Sequence, residues 1–156
     1  MRILIVFGSQ FGNTEHVARV IATALEPRHT VHVVAAGDAR SLTGDGVDLL
    51  IVGAPTQLFG RRLLVRSFLA GLKRHRFTGM PAAAFDTRMG TPTEKNAASS
   101  ELIADRLLAA GCHLVAPAES FLVAGFTGPL VEGEEERART WACDVVGRLA
   151  VASAGS

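Results

Sequence analysis

Apolar positions along the chain alternate between two periods. Ile3 to Phe7 form an unbroken apolar run, too short and too β-branched for a helix, which reads as a buried strand. Val17, Val20, Ile21, Ala24 and Leu25 then recur at i, i+3, i+4, i+7 and i+8, one face of a helix that Pro27 stops. Thr30 to Ala35 alternates as a strand, and the turn-forming stretch GDARSLTGDGVD after it has room for one short helical turn. Leu49 to Val52 reads as a second buried strand, ended by Gly53 and Pro55. Leu64, Val65, Phe68, Leu69 and Leu72 make another helical stripe, and Ala82 to Phe85 a third core strand. Glu94 to Ala110 carries a long helical pattern closed by Gly111, a residue suited to a left-handed cap. HLVAPAESFLVAG reads as a last strand bent at Pro117. A final helix buries Ala138, Trp141, Ala142, Val145, Val146 and Leu149, with Glu132, Glu134, Glu135 and Glu136 around its amino end.

Strands that alternate with helices throughout are the mark of a parallel sheet covered on both faces. The expectation is an α/β chain folded as one three-layer α/β/α sandwich with a five-stranded parallel sheet. Residues 1–150 form its single domain and 151–156 a frayed tail. Periodicity leaves the order of the strands open.

Composition narrows the function. The 156 residues are 48% apolar, enough for one well-cored domain, and with no tyrosine the core is aliphatic in the main. A formal charge of +1 gives no general reason to expect nucleic acid or a membrane surface as a partner. No segment has the length of a spanning helix, so the expected location is the cytoplasm. Cys112 and Cys143 have no metal-ligand spacing, and the five histidines are scattered, so no metal site is expected.

The candidate chemistry sits at GSQFGNTE, where the first strand meets the first helix. Unpaired N–H groups and the positive end of the helix dipole favour an anion there. Several anion loops do not fit these residues. The NTPase loop needs a Lys-Ser/Thr pair, where this chain has Asn13 and Thr14 after Gly12. The dinucleotide fingerprint needs GxGxxG, and Gly8 and Gly12 are spaced GxxxG. No thiol lies in the loop for a cysteine phosphatase, and no carboxylate cluster follows the strand for a response-regulator receiver. What remains is a loop that holds a phosphate by neutral donors: the hydroxyls of Ser9 and Thr14, the Asn13 amide, and backbone brought close by Gly12.

This loop resembles the phosphate loop of flavodoxins, in which hydroxyl-bearing residues surround a Gly-Asn-Thr core and bind flavin mononucleotide (FMN). APTQLFG and FDTRMG follow later strands where flavodoxins carry their two flavin-covering loops, and SFLVAGFTGPLVEGEEERA is similar to the ending of a group of bacterial flavodoxin-domain proteins. The resemblance covers nearly the whole chain, in the short-chain form. It implies strand order 2-1-3-4-5, with the flavin at the switch point between the first and third strands; flavodoxin is a standard example of that rule.

Carried over by position, the resemblance assigns the phosphate to Ser9, Gln10, Phe11, Gly12, Asn13 and Thr14. Phe11 departs from the pattern, since a ring replaces the usual hydroxyl residue and leaves only its N–H as a donor. Pro55, Thr56, Gln57, Leu58, Phe59 and Gly60 are expected to form the wall beside the isoalloxazine. Asp86, Thr87 and Arg88 are expected at its pyrimidine end. The usual tryptophan and tyrosine sandwich is missing; Phe59 is the candidate for stacking, with a place in the core as the alternative reading, and Phe126 is a further rim candidate. Arg61, Arg62 and Arg88 around Asp86 imply a basic rim that prefers an acidic redox partner. No catalytic acid–base or nucleophilic group appears in the site. The function implied is a one-electron carrier between redox proteins. The alternatives are a small FMN-dependent NAD(P)H:quinone-type reductase and a flavin-free interaction domain of the same fold.

Overall fold

The computed structural model describes the chain apart from Gln10, Gln57, Leu58, residues 91–98, Phe126 and Ser156, with backbone alone for 59–62. The elements run β1 (Arg2–Phe7), α1 (Asn13–Leu25), β2 (Thr30–Ala35), a 3-10 helix (Ala36–Ser41), β3 (Leu49–Pro55), α2 (Phe59–Ala70), β4 (Pro81–Met89), α3 (Ser99–Ala109), β5 (His113–Leu114), β6 (Glu119–Val123) and α4 (Glu134–Ala154). All the strands pair in parallel in the order β2-β1-β3-β4-β5, with β6 also on β4. The chain is the three-layer sandwich of order 2-1-3-4-5.

The fifth position is filled twice over. β5 lies beside Pro81 and Ala82, and β6 beside Phe85 to Met89. A single strand bent at Pro117 was the expectation. The ladder breaks there instead, because proline has no N–H to donate.

Two other strands are longer than their apolar runs suggest. β3 continues through Gly53 to Pro55, with Gly53 opposite both Phe7 and Phe85. A Cβ on Gly53 would stand 2.1 Å from the Phe85 ring, so the glycine is there to admit that ring and does not end the strand. β4 likewise runs on to Met89, so Asp86, Thr87 and Arg88 belong to a central strand rather than to a loop.

The alternation of side chains divides the core between the two faces of the sheet. Leu4, Val6, Leu50, Val52, Ala82 and Ala84 pack beneath α2 and α3 with Phe68, Leu72, Ile103 and Leu107. Ile3, Ile5, Leu49, Ile51, Ala83 and Phe85 pack beneath α1 and α4. On that second face Phe85, Phe121 and Trp141 meet edge to face, with centroids 5.9–6.1 Å apart, which places Trp141 in the core. No helix among the described residues is long and apolar enough to cross a membrane.

β6 is an outer strand, and its edge is covered. The chain turns back so that Val131 N–H donates to Leu122 O and Ala124 N–H to Pro129 O. Glu134, at the start of α4, accepts from Leu122 N–H at 2.8 Å and from Arg137, whose guanidinium also reaches Glu119 and the Ser120 carbonyl. The same guanidinium lies 4.7 Å from the centre of the Phe121 ring. These contacts leave little of the edge for another chain to pair with.

Candidate functional site

The parallel strands bring three connections to one edge of the sheet, at the carboxyl ends of β1, β3 and β4. After β1, Gly8 N–H donates to Gly53 O at 3.0 Å, which ties the first connection to β3. Gly12 then takes φ +89° as the N-cap of α1, with open space where a Cβ would stand. Its N–H donates to Ser9 Oγ at 3.0 Å, and no side chain caps the helix. The amino end of α1 therefore faces the connection with its dipole uncompensated by a capping group.

Thr14, in the first turn, is buried and shares a 2.8 Å hydroxyl–hydroxyl hydrogen bond with buried Thr87 on β4. That bond joins the first and third candidate segments across β3. Asn13 lies against the segment after β6, where a Cβ on Gly128 would stand 2.5 Å from its Oδ1. Gly128 is a site neighbour that the sequence pattern does not single out. Phe11 is 45% exposed and lines a cavity of about 520 Å³ with His16, Val131 and Glu135.

The second and third segments are knitted together by hydroxyl groups. Thr56 N–H donates to Thr87 O at 2.9 Å, and Thr56 Oγ1 donates to Asp86 Oδ2 at 2.9 Å. Asp86 Oδ2 also accepts from Ser100 N–H at 2.9 Å, so this carboxylate caps the amino end of α3. Ser99 completes the knot, donating its N–H to Thr56 Oγ1 and its hydroxyl to Pro55 O. The sequence pattern does not single out Ser99 and Ser100, because the helical period runs on back to Glu94. Two serines directly before an apolar stripe are nonetheless a helix-start signal.

Among the described residues, two polar atoms in this region are buried without a hydrogen-bond partner, Asp86 Oδ1 and Arg88 Nε. Asp86 is wholly buried and Arg88 is 7% exposed. They lie two residues apart on β4 and so share its α2/α3 face. An orphaned donor and acceptor, each on an ionisable side chain, are costly in an interior unless a ligand completes them. They fit a group that offers both an acceptor and a donor, as the pyrimidine edge of a flavin does. The same burial removes Arg88 from any docking rim, since a side chain enclosed on the strand does not meet a protein partner.

Gln10, Gln57 and Leu58 lie outside the described residues, as do the side chains of Phe59, Gly60's neighbours Arg61 and Arg62, and Phe126. The backbone at Phe59 and Gly60 is the first turn of α2 rather than loop.

No protein-family profile matches the chain, and no curated protein does. Among solved structures, oxidised flavodoxin 1 from Bacillus cereus is similar at 20% identity, over 94% of this chain and 98% of that one, with a TM-score of 0.77. A WrbA-like flavodoxin from Agrobacterium tumefaciens is 18% identical over 95% and 96%, with a TM-score of 0.69. The rubredoxin oxygen:oxidoreductase of Desulfovibrio gigas is 20% identical over 96% of this chain but only 36% of its own, with a TM-score of 0.72. The protein is a doubly wound α/β sandwich with its polar loops at the switch point of the sheet. Its fold is flavodoxin-like.

Proposed function

We propose that the protein binds FMN at the carboxyl edge of β1, β3 and β4 and carries single electrons between redox proteins. The observation that carries this reading is the uncapped amino end of α1, opened by a left-handed Gly12 at the switch point of the sheet. The flavin supplies one-electron and two-electron chemistry when bound. Ser9, the backbone around Gly12 and the amino end of α1 hold its phosphate. Thr14 and Thr87 brace the phosphate segment against β4. Arg88 and Asp86 supply a buried cation and a hydrogen-bond acceptor at the ring's polar end.

The carrier is the first reading because the fold is shared with a flavodoxin along nearly the whole of both chains. The second reading is the NAD(P)H-dependent reductase, for which the same edge of the sheet would hold the flavin. An absorbance spectrum of the purified protein, with acid release of the chromophore, tests the cofactor. Protein that stays colourless after incubation with FMN would overturn both redox readings and leave an interaction domain. Rapid NADPH oxidation by the FMN-loaded protein alone would replace the carrier with the reductase.

A further inference from the structure

The charge of +1 conceals a strong segregation. From Leu49 to Phe85 the chain has no aspartate or glutamate, while Arg61, Arg62, Arg66, Lys73, Arg74 and Arg76 fall in that stretch. Around Arg74 the surface is concave. A cavity of about 320 Å³ opens between the 3-10 helix Ala36–Ser41 and the end of α2, lined by Arg40, Ser67, Arg74 and His75 over Ala39 and Phe68. No carboxylate lines it.

We propose that this cavity is a second anion site, for a phosphate-bearing small molecule, separate from the opening loop. β3 and β4 are parallel, so α2 must return across the sheet, and its end lies toward the amino edge. His75 O accordingly accepts from Gly44 N–H, five residues before β3 begins. The opening loop lies at the other edge.

Neither Arg40 nor Arg74 has an ion-pair partner among the described residues, whereas neighbouring Arg76 is held by Asp45 at 2.9 Å. Their surroundings are built rather than loose. His75 packs on Gly71, where a Cβ would stand 2.9 Å from its ring, and its N–H donates to Gly71 O. Arg76 is turned into the left-handed region at φ 68°, where its contact with Asp45 holds it beside the 43–47 turn.

The donor set selects the ligand class. Two guanidinium forks, a hydroxyl and an imidazole offer more donors than one carboxylate can accept, and they suit the oxygens of a phosphate. The cavity adjoins a helix's carboxyl end, which contributes no backbone donors, so recognition rests on these side chains. Its volume exceeds that of a single phosphate and accommodates a diphosphate or a sugar phosphate.

The test is calorimetric titration of the FMN-loaded protein with inorganic pyrophosphate, in low-salt buffer free of phosphate. One saturable event is expected. Arg40→Ser and Arg74→Ser should each weaken it tenfold or more with an unchanged melting temperature. Arg28→Ser, which removes the same charge from an exposed position after α1, should change it less than twofold. Equal losses in all three variants would reduce the effect to net charge and overturn the site, as would no binding by the parent. Should the chain take up no FMN, the titration is run on the flavin-free protein beside Gly12→Val. Binding abolished by Gly12→Val but untouched by Arg40→Ser would belong to the opening loop and overturn the second site.

Discussion

Arg88 carries the sharpest residue-scale consequence. The residue is 7% exposed and its Nε is buried without a partner among the described residues, a state that disfavours the ligand-free fold. Arg88→Met keeps the volume and removes the desolvated charge, so the flavin-free protein should become more stable by about 1–2 kcal/mol. FMN affinity should fall in the same variant by about tenfold, or ~1.4 kcal/mol. Opposite signs in urea denaturation and in flavin titration are the signature of a residue kept for its ligand. A loss of stability in Arg88→Met would mean that the side chain is structural. With FMN bound, a cation held about 8 Å from the reduced ring at an effective dielectric of about 20–40 would stabilise added negative charge by ~1–2 kcal/mol. Arg88→Gln should therefore lower the potential of the second reduction step by roughly 45–90 mV. Gly12 gives a second residue-scale prediction. Space for a side chain exists there, so the penalty of Gly12→Val comes from φ +89° alone, about 1–2 kcal/mol for a β-branched residue. Fluorescence titration should show FMN binding lost in Gly12→Val and partly kept in Gly12→Asn, which tolerates that conformation.

Among the elements, the union of α4 with β6 is the one whose strength depends on pH. Glu134 is buried, and its hydrogen bonds from Arg137, with a further one from Leu122 N–H, hold its carboxyl below the ordinary range despite the opposing effect of burial. Arg137 is raised in turn by hydrogen bonds to Glu134 and then to Glu119, with burial acting against them. A carboxyl depressed in the folded state adds stability above its unfolded pKa and loses it as pH falls through the folded value. At pH 7 Glu134→Gln should cost about 1.5–3 kcal/mol, the scale of hydrogen bonds to a charged group. The gap between parent and variant should narrow below about pH 4.5, near the unfolded value for glutamate. Denaturant midpoints across pH 3–7 check this, and a gap that stays constant would show that the carboxylate's charge is irrelevant to the clamp.

The whole molecule has two electrostatic faces. The α2 side is basic, and the start of α4 is rich in glutamate, although Glu135 is engaged by His16 and Arg139. Reduced, FMN-loaded protein should therefore be oxidised faster at low salt by an anionic metal complex than by a cationic one of matched driving force. The advantage should fade as the Debye length shrinks to about 8 Å near 0.15 M salt. Stopped-flow rates with no dependence on reagent charge would remove the expectation of an acidic partner, because the basic face would then lie away from the site of transfer.

The alternation of strands and helices, the burial of Trp141, the ends of α1 and α3 at Pro27 and Gly111, and the place of the glycine loop were legible in the residues. Each depends on local period or on the backbone chemistry of a few neighbours. The strand order came with the resemblance, since apolar runs carry no address for their neighbours. The extent of β3 and β4 was hidden because Gly53 and Asp86 break an apolar run without breaking a ladder. Only the tertiary structure sets the Phe85 ring over Gly53 and α3 over Asp86. For the same reason the sequence places Arg88 both at the flavin's pyrimidine end and on a basic rim, and the fold alone buries it on β4. Period and propensity are properties of neighbours in the chain, whereas burial and partnership are settled by segments that meet only when the sheet closes.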